Sequence, residues 1–226
     1  MCRWFDSAPG HQETPKPPSG GFFIWSFVIV GVWSCLMMSR IYSNWVYGGL
    51  LAGLLILLLM PLLTIGWPTQ LKLFYLTLPI YMLHQYEEWD GDRFRIFLNN
   101  HLGRGKNLLT HKAGFVINIF GVWGVIAAAL YLAFYVNPGF GLIATYLVLV
   151  NAFVHILATF ILRSYNPGLI TAIVLFIPLG LCTLYRENFG SDRTFQYLGI
   201  AIAILIHVGI MGHLLRRRNQ LSNTIE

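Results

Sequence analysis

The segment at residues 45–67, WVYGGLLAGLLILLLMPLLTIGW, decides the fold class of this chain. It is a leucine-rich run with a tryptophan at each end. A transmembrane helix needs about 20 apolar residues, and tryptophan is enriched at both membrane–water interfaces. The segment therefore predicts a helix that crosses a bilayer.

The composition extends this prediction to the whole chain. Of the 226 residues, 56% are hydrophobic and 11% are charged, whereas soluble domains carry about 25% charged residues. We therefore predict an all-α fold, a polytopic transmembrane helix bundle of about seven spans. The predicted spans are residues 22–39, 45–66, 71–89, 113–136, 140–162, 168–186 and 194–215.

The same pattern divides the chain into three parts. Residues 1–21 are predicted to be a flexible N-terminal tail, residues 22–215 a single transmembrane domain, and residues 216–226 a basic, polar C-terminal tail. Within the domain, a five-helix core at residues 71–215 carries the polar motifs and follows two added helices. No internal repeat is visible.

The basic residues predict the orientation in the membrane. Seven spans place ten of the 15 lysines and arginines on one side and five on the other. Cytoplasmic loops carry an excess of Lys and Arg, so the net charge of +6 fits this pattern better than a nucleic-acid-binding face. We expect the N-terminus outside or in a lumen and the C-terminus in the cytoplasm.

Ionisable side chains end the third predicted span, in the run HQYEEW at residues 84–89. On a helix, His84 lies on about the same side as Glu87 and Glu88. Translocon scales put an acid at the centre of a transmembrane helix at roughly +2.5 to +3.5 kcal/mol, and such residues usually face the bundle interior. The run therefore predicts a functional site at the end of this helix.

Polar residues of later helices share this depth. In the predicted orientation, Asn151, His155 and His207 also lie in the cytoplasmic halves of their spans. Imidazole nitrogen and carboxylate oxygen suit Zn(II), Fe(II) or Mn(II), and rigid helices can leave one position open for water or substrate. The predicted metal ligands are His84, Glu88, His155 and His207, with Glu87 as a further ligand or general base and Asn151 orienting a ligand or substrate oxygen.

Each of these residues also has a structural interpretation. Glu87 and Glu88 could mark the point at which the helix enters the lipid headgroups. His155 or His207 could be a hydrogen-bonded packing residue between helices. Asn166 is predicted to be the N-cap of the sixth span.

The motifs and their order resemble the HXXEE family of small polytopic membrane proteins. They are a His-x-x-Glu-Glu run, an Asn-x-x-x-His run and a Tyr-x-Pro-Gly turn, and the resemblance covers roughly residues 71–215. The matching residues are His84, Glu87, Glu88, Asn151, His155, Tyr165, Pro167, Gly168 and, in a late helix, His207. Because the family is named for its motif, the resemblance implies a shared polar site and no substrate.

These observations predict an integral-membrane enzyme with a buried His/Glu site near the cytoplasmic face. It would use a divalent metal, Zn or Fe, and act on a lipid-soluble isoprenoid or acyl substrate by hydrolysis, hydration or isomerisation. The predicted catalytic residues are His84, Glu87, Glu88 and Asn151. The alternatives are a metal-free acid/base isomerase or cyclase of a terpenoid or polyene, a proton-coupled transporter, and a non-catalytic membrane partner.

Overall fold

The computed structural model of the chain describes residues 22–186 and 193–223, with side chains from residue 37 onward. The described residues contain no β-strand, which confirms the all-α prediction. The predicted N-terminal tail at residues 1–21 lies outside them. Their helices of more than one turn are α1 (Phe22–Leu63), α2 (Thr69–Trp89), α3 (Arg93–His101), α4 (His111–Tyr135), α5 (Pro138–Leu162), α6 (Leu169–Arg186) and α7 (Arg193–Asn223).

Five of these helices are long and apolar enough to cross a membrane. They are α1, through its segment Met37–Leu63, and α4 to α7. Large apolar side chains such as Leu58, Phe160 and Leu205 are more than two-thirds exposed on the bundle surface. Hydrocarbon is the solvent in which such a surface is stable, so the chain is a multi-pass membrane protein.

The count of seven spans is not confirmed, because the first two predicted spans lie in one helix. The turn expected near residues 40–44 is helical, and the side chains of Ser43 and Asn44 donate to carbonyls one turn back, at 2.9 and 3.0 Å. Polar groups bonded to their own helix do not interrupt it. At 1.5 Å per residue α1 extends about 63 Å, about twice the hydrocarbon thickness.

Helix α2 is the central helix of the bundle and is not among the five most apolar ones. It packs against α1, α4, α5 and α6. Phe74, Thr77, Tyr81, His84 and Gln85 are at most 2% exposed. Because its polar side chains face other helices and not lipid, a moderately apolar sequence suffices here.

Helix α3 lies in residues 90–112, between the third and fourth predicted spans, where the sequence predicted no helix. Its Phe97 is buried, and Phe94 and Leu98 line the interior of the bundle. On its polar face Arg95 pairs with Asp92. The helix is therefore amphipathic. It covers the end of the bundle near Arg163 and Arg216–Arg218, which we call the basic end.

Helix α7 continues through the predicted start of the C-terminal tail, and Arg216–Arg218 are helical. The division of the chain into a tail, one domain and a second tail stays a prediction. What matters for function is that the end of α2, the start of α6 and the last third of α5 meet at the basic end of the bundle.

Candidate metal centre

Three buried side chains from two helices meet behind α3. His84 and Glu88 stand one turn apart on α2, and His155 comes from α5. Oε1 of Glu88 lies 3.5 Å from Nε2 of His84 and 3.0 Å from Nε2 of His155. The three residues are 0%, 4% and 2% exposed, respectively.

These three residues could hold one metal ion. The three ligand atoms lie within 4.8 Å of one another. Ligands about 2.0–2.2 Å from a metal, at angles between 90° and the tetrahedral value, are themselves about 2.8–3.6 Å apart. Two imidazoles and one carboxylate form a ligand set used by Zn and by non-haem Fe(II), with positions left open for water or substrate.

Thr171 of α6 determines which nitrogen of His84 carries the proton. Its hydroxyl donates to Oε2 of Glu87 at 2.5 Å and lies 2.8 Å from Nδ1 of His84. The single hydroxyl proton is directed to the carboxylate, so the hydroxyl oxygen can only accept from His84. His84 is therefore protonated on Nδ1, and its Nε2 presents a lone pair towards Glu88 in the neutral ring.

Two acceptors consequently face each other in a buried site. Nε2 of His84 has no hydrogen-bond donor, and Oε1 of Glu88 lies 3.5 Å away. Two lone pairs held this way in a low-dielectric interior are stable when a cation lies between them. A divalent metal or an additional proton satisfies that requirement. The Glu87–Thr171–His84 chain is also the outer-shell arrangement that orients metal-ligating histidines.

Glu87 occupies a separate place, at the N-terminus of α6. Its carboxylate accepts from the backbone N–H groups of Ile170 and Thr171 at 3.1 and 2.7 Å, and from the hydroxyl of Tyr165 at 2.5 Å. A carboxylate is favourable at this end of a helix. Glu87 thus serves as the N-terminal cap of α6, provided by another helix.

The predicted capping residue, Asn166, does not have that role. The residue at the N-cap position of α6 is Gly168, which has no side chain to accept a hydrogen bond. Asn166 is 2% exposed, and its Nδ2 points to the carbonyl of His155 at 3.5 Å. The N-cap prediction for Asn166 was wrong because Gly168 takes a left-handed φ of +98°, so the helix begins at Leu169 and not at Pro167.

Tyr165 lies in the loop before α6, outside the membrane-spanning segments. Partial burial and the adjacent Glu87 carboxylate raise the pKa of Tyr165 to about 12. Its hydroxyl therefore stays protonated and remains a donor to Glu87 at any physiological pH.

Gly168 forms the floor of the site. Its φ of +98° lies in the left-handed region, which favours glycine. A Cβ at this position would lie 2.7 Å from Cγ of Glu88 and 2.8 Å from Cε1 of both His84 and His155. The Tyr-x-Pro-Gly turn therefore contributes to the site twice, through the Tyr165 hydroxyl and through a residue without a side chain.

A cavity of about 470 Å³ adjoins the three-residue cluster. It lies between α2, α3, α4, α5 and α7, and Glu88 and His155 form part of its wall. Most of the remaining wall is apolar, from residues such as Phe94, Leu147 and Met211. Its volume is in the range of small-molecule sites in proteins.

Two predicted site residues line this cavity but stand outside the three-residue cluster. His207 is half-buried, and its Nδ1 donates to its own helix at the Ala203 carbonyl, 2.8 Å away. Asn151 is half-buried, and its Oδ1 is buried without a hydrogen-bond partner. The structure thus places His207 and Asn151 on the wall next to the cluster.

Sequence reasoning missed residues that support the site. Thr171 stands in an apolar helix without a motif that marks it. Gln85, 0% exposed, donates to Oδ1 of Asn118 at 2.7 Å and accepts from Trp123 Nε1 at 2.5 Å, which joins α2 to α4. A polar residue such as Gln85 within an apolar run, directly after His84, is the feature of the sequence that could have indicated this role.

Two helices are locally π-helical beside these networks. The segments are Ile117–Trp123 in α4 and Ala172–Phe176 in α6. The second segment begins directly after Thr171 and contains Phe176, whose ring centroid lies 4.3 Å from that of His84. Single π-helical turns are frequent at functional sites.

Comparison with known proteins agrees with the motifs. Neither the curated proteins nor the solved structures include a significant match to this chain. Residues 75–183 match the family described as "Protein of unknown function with HXXEE motif". This range contains the three-residue cluster, Thr171 and the Tyr-x-Pro-Gly turn, and ends before His207. The motif-bearing region of the chain, residues 75–183, therefore matches the HXXEE-motif family.

Proposed function

We propose that this protein is a metal-dependent integral-membrane enzyme that acts on a lipid-soluble substrate in the cavity beside His84, Glu88 and His155. The observation that carries the proposal is the pair of facing acceptors, Nε2 of His84 and Oε1 of Glu88, of which Glu88 lines an apolar cavity. The two acceptors are stable when a cation lies between them, and the cavity provides space for a small molecule beside Glu88.

The chain's own residues have distinct tasks in this proposal. His84, Glu88 and His155 hold the ion, and Thr171 and Glu87 keep Nε2 of His84 directed at it. A divalent metal there would supply Lewis acidity or lower the pKa of a bound water. The apolar wall excludes bulk water, and the second carboxylate oxygen of Glu88 can hold or move a proton.

The substrate class and reaction follow from the surroundings. An apolar cavity inside a membrane bundle suits an isoprenoid or acyl compound. Hydrolysis, hydration and isomerisation can be catalysed by a Lewis acid together with proton transfer, which this ligand set could supply with either Zn or Fe.

We propose that the basic end of the bundle, which holds the site, faces the cytoplasm. Arg40, the 90–112 segment, Arg163 and Arg216–Arg218 lie at that end in the predicted topology. The N-terminus was expected outside because two spans, with a turn between them before residue 45, were predicted at this end of the chain. The helix α1 is continuous there. If α1 crosses once, both termini are cytoplasmic.

Elemental analysis of the purified protein tests the proposal. We expect about one Zn, Fe or Mn per chain, with the metal lost in His155→Ala. His213→Ala is the matched control, because His213 is an exposed histidine at the same end of the bundle, and it should keep the metal. Wild-type protein that stays free of metal after incubation with Zn and with Fe(II) would refute metal dependence.

A metal-free acid/base enzyme is the second candidate. It is supported by the 3.0 Å separation between Nε2 of His155 and Oε1 of Glu88, a normal hydrogen-bond length. In this form an additional proton is shared by the three residues, and the site could shift protons in a polyene or terpenoid. Activity that persists at full rate in metal-free protein would favour this candidate over the first.

A further inference from the structure

The cavity wall contains two buried acceptors without donors. Nδ2 of Asn166 points to a backbone carbonyl, which fixes the amide orientation and leaves Oδ1 as the free atom. Oδ1 of Asn151 is also buried and unpartnered. Both residues line the cavity together with Glu88 and His155. Trp89 Nε1 on the same wall is a buried donor without an acceptor. Because buried polar groups are nearly always hydrogen-bonded, a ligand that both donates and accepts would pair with this wall.

The charge of the wall selects among head groups. No Lys or Arg is among the described residues that line the cavity. A carboxylate or phosphate oxygen cannot donate, so it would leave both asparagine oxygens unpaired. A hydroxyl can donate its single proton to one of the two asparagine oxygens while its own oxygen accepts or faces the cluster.

The cavity adjoins an apolar groove on the outer surface of the bundle. A groove on the outer surface between α5 and α7 shares Val154, His207 and Val208 with the cavity. Val154 and Val208 are exposed on the lipid-facing surface. We therefore place entry from the bilayer on this side, between the two helices and past the shared side chains.

We infer that the cavity binds a neutral amphiphile with a hydroxyl head, a long-chain or isoprenoid alcohol, and that Asn166 and Asn151 are the residues that select its head group. This inference rests on the proposed function, whose substrate class it narrows. The alcohol oxygen would lie on the side of the cavity that contains Glu88 and His155, with the chain along the apolar wall towards α5 and α7.

Tryptophan quenching by brominated probes tests the inference in lipid nanodiscs, because Trp89 lines the cavity. The probes are a long-chain alcohol brominated in its chain, its methyl ether and the matching carboxylate. We expect saturable quenching by the alcohol at an affinity about tenfold above that of the ether, and none by the carboxylate. Trp89→Phe should lose the saturable part, which locates the probe.

Variants of the two asparagines connect the binding to these residues. Asn166→Leu is expected to lower alcohol affinity about tenfold with metal content unchanged, and Asn100→Ala, on the exposed face of α3, to change neither. If Asn166→Leu does not fold, Asn151→Leu provides the same comparison. Equal affinity for alcohol and ether, tighter binding of the carboxylate, or unchanged affinity in a folded asparagine variant would overturn the inference.

The two proposals fail separately. Selective alcohol binding by a protein that never binds metal would refute metal dependence and keep the alcohol site. One metal ion per chain without alcohol selectivity would keep the metal centre and refute the alcohol site.

Discussion

Adding one methyl group at Gly168 tests the geometry of the site. A Cβ there would lie 2.7–2.8 Å from carbon atoms of Glu88, His84 and His155, whereas carbon atoms in contact are normally about 3.5–4.0 Å apart. Each group must therefore move by about 0.7 Å or more. Overpacking of this kind costs about 1–3 kcal/mol, and a left-handed φ in a residue other than glycine costs about 1–3 kcal/mol more.

We therefore expect Gly168→Ala to lower the free energy of unfolding by about 2–6 kcal/mol. Two other glycines separate the two causes. Gly105 has a φ of +82° with open space around its Cβ position, so Gly105→Ala reports backbone strain alone. Gly212 is helical and equally open, and Gly212→Ala should be neutral or stabilise the protein by about 0.5–1 kcal/mol.

The measurement is unfolding in mixed detergent micelles, together with metal content. Because metal ligands tolerate shifts of only about 0.2 Å, Gly168→Ala should also lose the metal under conditions in which the other two variants keep it. If Gly168→Ala loses no more stability than Gly105→Ala and binds metal as the wild type does, the residue does not contact the cluster as described.

Three further changes address single contacts. Thr171→Val should lower metal affinity about 10–100-fold because it removes the hydroxyl that bonds Nδ1 of His84. Thr183→Val is the control, because Thr183 is buried and bonded within its own helix. Equilibrium dialysis should show that its metal affinity is unchanged. His207→Ala should keep the metal in the same assay, and its loss would make His207 a ligand. The pKa of Tyr165 is raised from its usual value near 10 to about 12, so its protonated form stabilises the fold fully below pH 10, and this contribution disappears as pH rises through 12. Tyr165→Phe should thus unfold more easily than the wild type below pH 10, with the difference vanishing near pH 12; a difference independent of pH would show that the bond to Glu87 is unimportant.

Helix positions were predictable because apolar runs and their length act locally. Five predicted spans, from the third to the seventh, correspond to α2 and α4–α7 within a few residues at most ends. Polarity could not predict that α1 continues through residues 40–44, because the side chains of Ser43 and Asn44 hydrogen-bond to carbonyls of α1 itself. Helix α3 was missed because it is short and its apolar residues form one face only.

The site was predictable in part, for a related reason. Spacing alone places His84 and Glu88 on one side of α2, and a shared depth suggests His155 as their neighbour. Depth does not specify rotation about a helix axis, so it could not separate His155, in the cluster, from His207, on the wall. The hydrogen-bond partners of Glu87 could not be predicted from the sequence, because two of them are backbone N–H groups at the start of a distant helix.

The modest hydropathy of α2 has a consequence for how the protein is made. A segment with Lys72, His84, Gln85, Glu87 and Glu88 is a poor substrate for independent insertion by a translocon, which transfers apolar segments readily and charged ones with difficulty. Its most extensive partner is α1, which precedes it in synthesis, so the two are best inserted as a helical hairpin. His155 and Thr171 emerge from the ribosome only later. The cluster therefore completes only after α5 and α6 have been synthesised, and under the proposed function a metal would be loaded after that step.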